Sequence, residues 1–173
     1  HPVLTIDGWK EVDALTVGEF IAVPKSLPVF GKDAPGLNRA KMVGYIAGAF
    51  SMTQKGPVLS ITSKEVVGEV LKTAAAAEIS LFKKTEQNYF LHDHDGLFEK
   101  AMSEQEDALP KEVFTYDKNH LAVFLAALYD TNGWAYSERI AEVGYGSRSH
   151  SKIKELKHLL LRFGIDTNIV KRT

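Results

Sequence analysis

The chain has 173 residues, 45% hydrophobic and 25% charged, with a formal net charge of −1 and no cysteine. Such a length buries roughly two-thirds of its unfolded surface, so a core can form without a metal or disulfide staple. The missing cysteines exclude thiolate zinc sites, disulfide frameworks and thiol nucleophiles, and the near-neutral charge excludes a generically basic nucleic-acid binder. No apolar run reaches the ~20 residues that cross a bilayer, so no membrane partner is expected and a cytoplasmic location is the default.

In chain order, Val3-Leu4-Thr5-Ile6 reads as a strand, Asp7-Gly8 as a turn, and Phe20 to Val23 as a second strand closed by Pro24. The stretch 25–37, with Pro28, Gly31, Pro35 and Gly36, reads as a linker. A small-residue helix is expected from Asn38 to about Phe50, then a strand over 57–63 and an amphipathic helix from Ser63 through the alanine run 74–77. The segments 78–84 and 88–93 form a hairpin around Thr85-Glu86-Gln87, and the acidic stretch 95–113 a short helix and exposed connection. The second half brings a helix over 119–133, strands at 134–138 and 140–146, a helix over 149–164 stopped by Gly164, and a last strand at 166–172. This helix, strand, strand, helix, strand order recurs about 80 residues apart, the mark of an internal pseudo-repeat whose second copy lacks its final strand and helix. A start at His1 and an end inside a strand-like alternation are what a piece of a longer polypeptide would show.

The two small-residue helices carry the first candidate site. In "MVGYIAGAF" (42–50), Gly44 and Gly48 share a face beside Ala47; in "LAALYDTNG" (125–133) and just before it, Ala122, Ala126 and Ala127 are expected to do the same. Small residues on one stripe let two helix backbones approach, and a tight pair in an ordinary core is a sufficient explanation of the pattern. The second stretch also resembles the second motif of the LAGLIDADG homing endonucleases, and 42–50 is similar to a decayed first motif. The segment "SRSHSKIKELKHLLLRFGIDTNIVKR" is similar to the family segment downstream of that second motif. "HPVLTIDGWKEVDALTVGEFIAVPK" resembles the middle of an intein splicing (Hint) domain, especially from bacterial replicative DNA helicases.

These resemblances imply an α+β fold: a LAGLIDADG-like αββαββα pseudo-repeat with a truncated second copy, preceded by a β segment of a Hint domain. They imply a partial splicing segment at 1–30, a linker at 31–37, and an endonuclease-like domain at 38–173 with repeats at about 38–113 and 114–173. In the splicing family a histidine before the Leu-Thr strand assists the first acyl shift, and His1 falls there. In the endonuclease family two helices end in acids that bind divalent metal for DNA cleavage. Matched residue by residue, those acids fall on Ala49 and Asn132, and Phe50 replaces the following glycine.

Magnesium takes hard oxygen ligands, normally with one or two carboxylates, so an alanine and a neutral amide weaken both anchors of a two-metal displacement. Asp130 is a weak candidate ligand, because a spacing of two puts it on another helix face than Asn132. Mg²⁺ is therefore expected only if the endonuclease site keeps some function. The run His92-Asp93-His94-Asp95 has ligand atoms, but neighbouring side chains diverge along an extended backbone, and Asp95 is a natural helix cap. From Arg139 to Thr173 eight Lys or Arg face three acids, so Lys83, Lys84, Arg139, Arg148, Lys152 and Lys154 are candidate phosphate contacts; a solvated helix face explains "KIKELKH" equally well.

The expected function is that of a site-specific endonuclease-like domain with cleavage lost, keeping residual binding of double-stranded DNA at a helicase gene or none. The parent protein would splice itself out between flanking helicase segments. The chain itself has no cysteine and lacks the terminal groups that break and form those bonds. A non-catalytic DNA-binding regulatory module on the same saddle is the alternative, and a scaffold-only α/β domain is the plainest.

Overall fold

The computed structural model describes residues 1–54, 56–92, 107–137 and 141–171. An antiparallel hairpin opens the chain, β1 (Pro2–Thr5) against β2 (Gly8–Glu11), with Pro2 opposite Glu11 and Thr5 opposite Gly8. Next come α1 (Leu37–Ala49), β3 (Phe50–Thr53), β4 (Gly56–Ser60), α2 (Lys64–Ala76), β5 (Ser80–Lys83) and β6 (Asn88–His92). The second half holds α3 (Lys118–Asn132), β7 (Gly133–Tyr136), β8 (Glu142–Tyr145) and α4 (His150–Arg162). The result is α+β, and among the described residues all paired strands are antiparallel: a four-stranded sheet in the order β3-β4-β6-β5 and two separate hairpins.

The helices begin and end where side-chain chemistry directs. Ser63 accepts from the Val66 N–H at the start of α2, Ser149 from Lys152 at the start of α4, and Asp117 from His120 at the start of α3. Helix α4 ends in a Schellman arrangement: Gly164, at φ +75°, donates to the Leu161 carbonyl and Ile165 to Leu160. Helix α2 ends the same way, Glu78 donating to Ala75 and Ile79 to Ala74, but Glu78 sits at φ +59° with a side chain that disfavours it. Glu78→Gly is therefore expected to stabilise the fold by about 1 kcal/mol, read as a higher urea midpoint at unchanged slope.

The core sits between α1 and α3. Met42, Val43, Tyr45 and Ile46 from one helix and Leu121, Phe124, Ala127 and Leu128 from the other are fully buried. Along the sheet the alternation places Leu59, Tyr89 and Leu91 inward, while Phe82 and Phe90 face each other on the outer side. Leu156, Leu159 and Leu160 bring the apolar stripe of α4 to the same core.

Several sequence expectations change. Residues 20–23 do not make a strand; a single bridge joins Ile21 to Thr5. No strand forms over 165–171, and the chain makes β3 at 50–53, where the sequence pattern marked only a helix end. The expected short helix after Asp95 lies outside the described residues, and a 3-10 turn forms further on at Lys111–Thr115.

The 25–37 stretch is fastened along its length. Leu27 donates to Leu161, Gly31 to Tyr116 and Asp33 to Thr115, while the N–H of Asp117 returns to the Asp33 carbonyl. The Phe30 ring meets Phe163 edge-on at 5.2 Å. The first 24 residues differ in character, leaving Ile6, Trp9, Val17 and Phe20 largely exposed.

Candidate functional site

The C-terminal ends of α1 and α3 converge because glycine removes the bulk between them. A Cβ on Gly44 would lie 2.5 Å from the Phe124 carbonyl oxygen and 2.8 Å from the Ala127 Cβ; one on Gly48 would run into the Thr131 side chain. The seam is thus Gly44 and Gly48 against Ala127 and Thr131. Of the three alanines assigned to it from the sequence, Ala127 is buried, whereas Ala122 and Ala126 face outward. Residue type located the stripe; only the rotation of α3 about its axis decides which alanines face α1.

At the end of this seam stand the positions of interest. Ala49 closes α1 and Asn132 closes α3. The Asn132 amide donates to the Gly48 carbonyl across the pair at 2.6 Å, and the Asn132 backbone carbonyl accepts from Gly146 at 3.1 Å. From the first turn of α4, the Lys152 ammonium reaches the Ala47 carbonyl at 3.0 Å. Burial holds the Lys152 pKa below its ordinary value, with Asp107 and Glu155 pulling partly the other way. The Tyr145 hydroxyl is pushed up by burial and eased back by hydrogen bonding to Asn132 and Thr131. Lys152 therefore turns inward to a helix end, where the sequence assigned it to phosphate. The signal for that role was faint: one lysine in the first turn of an amphipathic helix.

These donors do not suit magnesium. The Ala49 side chain offers no ligand atom, Asn132 presents its N–H face, and a cation already sits on the Ala47 carbonyl. Two unit charges about 4 Å apart near a protein surface interact by about 4 kcal/mol, and a dication beside an ammonium is repelled about twice as strongly. Among the described residues no group of three His, Asp or Glu is placed to hold an ion. Asp130 is exposed on another face, with the buried Tyr45 hydroxyl 3.4 Å away. Burial is the main cause that raises the Tyr45 pKa, and the Asp130 charge adds to it.

The remaining candidates scatter. His1 is exposed, its terminal ammonium 3.3 Å from Glu11. His92 is exposed at the end of β6, its ring 6.3 Å from Phe82, while Asp93, His94 and Asp95 lie outside the described residues. Lys83 pairs with Glu86 at 2.6 Å, and Lys84 lies over the Phe90 ring at 5.0 Å. Arg148 and Lys154 are exposed near and on α4; Arg139 lies outside the described residues. No helix among the described residues is long and apolar enough to cross a membrane.

Residues 119–173 match the model of a LAGLIDADG-like domain, the span from α3 to the end of the chain. Along almost its whole length the chain is similar to segments of larger proteins. It is 28% identical over 172 residues to the probable translation initiation factor IF-2 of Pyrococcus horikoshii, covering 98% of this chain and 15% of that protein. It is 24% identical over 197 residues to the replicative DNA helicase DnaB of Synechocystis, covering 99% and 23%. With the RecA protein of Mycobacterium tuberculosis the identity is 27% over 191 residues, covering 98% and 24%. The chain thus spans less than a quarter of the length of these relatives.

Proposed function

We propose that the chain is the endonuclease-like part of an intein inserted in a replicative DNA helicase, binding DNA site-specifically without cutting it. The observation that carries this reading is the LAGLIDADG-like match over α3, β7, β8 and α4, with α3 packed end to end against a glycine-seamed α1. The spread of relatives supports insertion. A probable translation initiation factor, a replicative DNA helicase and a RecA protein each contain a segment similar to this chain, and it is a small part of each. Matches to three DnaB helicases favour that host. Under this reading residues 1–30 belong to a splicing domain, with His1 as the acyl-shift histidine, and 38–173 to the endonuclease-like domain.

Cleavage is absent on chemical grounds. A displacement at phosphorus needs charge compensation on attacking and leaving oxygens, and the positions for the metal acids hold Ala49 and Asn132. DNA affinity does not need those acids. Lys84, Arg148 and Lys154 are exposed cations, and Asn88 and Ser60 add hydrogen-bonding groups to the sheet's outer side.

The test is a gel shift and a cleavage assay on the helicase gene lacking the insertion, in Mg²⁺. Binding that weakens steeply with salt and leaves the duplex intact is expected. Lys84→Ala and Lys154→Ala should each lower the salt slope by about one phosphate contact. Efficient double-strand cleavage would overturn the loss of activity, and no shift at low salt would overturn DNA binding.

A further inference from the structure

We propose that Asn132 and Lys152 form a protein-borne latch that closes the converging ends of α1 and α3 and keeps divalent cations out of them. The Phe50 N–H closes the last bond of α1 on the Ile46 carbonyl, which leaves Ala47, Gly48 and Ala49 at the helix end without intrahelical partners. Ala47 accepts from the Lys152 ammonium and Gly48 from the Asn132 amide. The two side-chain donors come from different helices, α3 and α4, so the latch ties three helices at one point.

Each part is held from behind. The Asn132 backbone carbonyl is bound by the Gly146 N–H, and the Lys152 N–H is bound by the Ser149 hydroxyl at 3.1 Å. Thr131, packed on Gly48, directs its own hydroxyl to the Leu128 carbonyl at 2.6 Å. The ammonium lies at the negative end of the α1 dipole, where a cation is favoured. A metal ion arriving there would have to displace an amide and an ammonium from the carbonyls it needs. The latch does its work whether or not the chain binds DNA, so its test is separate from the gel shift.

Thermal unfolding of the 173-residue chain in EDTA and in millimolar Mg²⁺, with terbium emission sensitised by the neighbouring Trp134, decides the matter. The native chain should melt at one temperature in both buffers and give no saturable terbium emission. Asn132→Ala should lower the melting temperature by about 2–4 °C, the shift one lost hydrogen bond produces at this size, without a Mg²⁺ response. Asn132→Asp with Lys152→Met, which supplies a carboxylate and removes the competing charge, should regain stability on adding Mg²⁺ and bind terbium saturably. Three results would each overturn the latch: native-chain stabilisation by Mg²⁺, saturable terbium emission from the native chain that Asn132→Ala removes, or a double variant no more responsive to Mg²⁺ than the native chain.

Discussion

Gly44→Leu is expected to abolish cooperative folding, and Gly44→Ala to cost about 1–3 kcal/mol in urea unfolding monitored by circular dichroism. Helix propensity alone gives the opposite sign, because alanine is better than glycine in a helix interior by about 1 kcal/mol. Packing reverses it. A Cβ at residue 44 would lie 2.5 Å from the backbone oxygen of Phe124 and 2.8 Å from the Ala127 Cβ, and neither can rotate away. Relief requires α1 and α3 to separate, which uncovers Tyr45, Phe124 and Leu128 together, all fully buried. Gly68 supplies the internal control. It lies in α2, exposed, with nothing within 4 Å of a Cβ, so Gly68→Ala should stabilise by about 1 kcal/mol. If both alanine variants shift stability in the same direction, the close crossing is wrong.

Gly31→Ala should cost about 2–4 kcal/mol, because its methyl would fall on the Thr115 backbone and force the strap away. Three backbone hydrogen bonds leave with it, Gly31 to Tyr116, Asp33 to Thr115 and Asp117 to Asp33, along with the Phe30–Phe163 contact. The damage would extend to the start of α3, since Asp117 also caps that helix through His120. Limited proteolysis gives an independent readout: cleavage within 25–36 should appear in the variant and not in the native chain. Asp117 adds a pH signature. Its hydrogen bonds to His120 hold its carboxyl below the ordinary range, so its contribution is present above that range and lost as pH falls through the lowered value. An unchanged melting temperature for Gly31→Ala would show that the strap is not seated as described.

Much of the site's outline could be read from residue types. Gly44 and Gly48 four apart announced a close helix pair, and Ser63, Ser149 and Gly164 announced helix boundaries that the backbone keeps. Ala49 and Asn132, where the resemblance puts metal acids, do stand at the ends of the two central helices. The 25–37 stretch, read as a linker from its turn residues, is seated by backbone hydrogen bonds at Leu27, Gly31 and Asp33, which residue types alone do not reveal. The strand expected at 166–172 does not form over 165–171, where among the described residues no neighbouring strand pairs with it; alternation alone does not supply a partner.

The sequence by itself determined the helix boundaries, the mixed α+β class and an alanine and an amide where the resemblance puts the metal acids, because capping, periodicity and ligand chemistry are local properties of residue types. Only the tertiary structure decided that Ala127 and Thr131, not Ala122 and Ala126, meet α1, and that Lys152 turns inward to a carbonyl 105 residues away in the chain. Those outcomes depend on how α3 is rotated and how α4 is seated. That rotation is set by the fit of many buried side chains at once, Phe124, Leu128 and Leu159 among them, and no local pattern carries it.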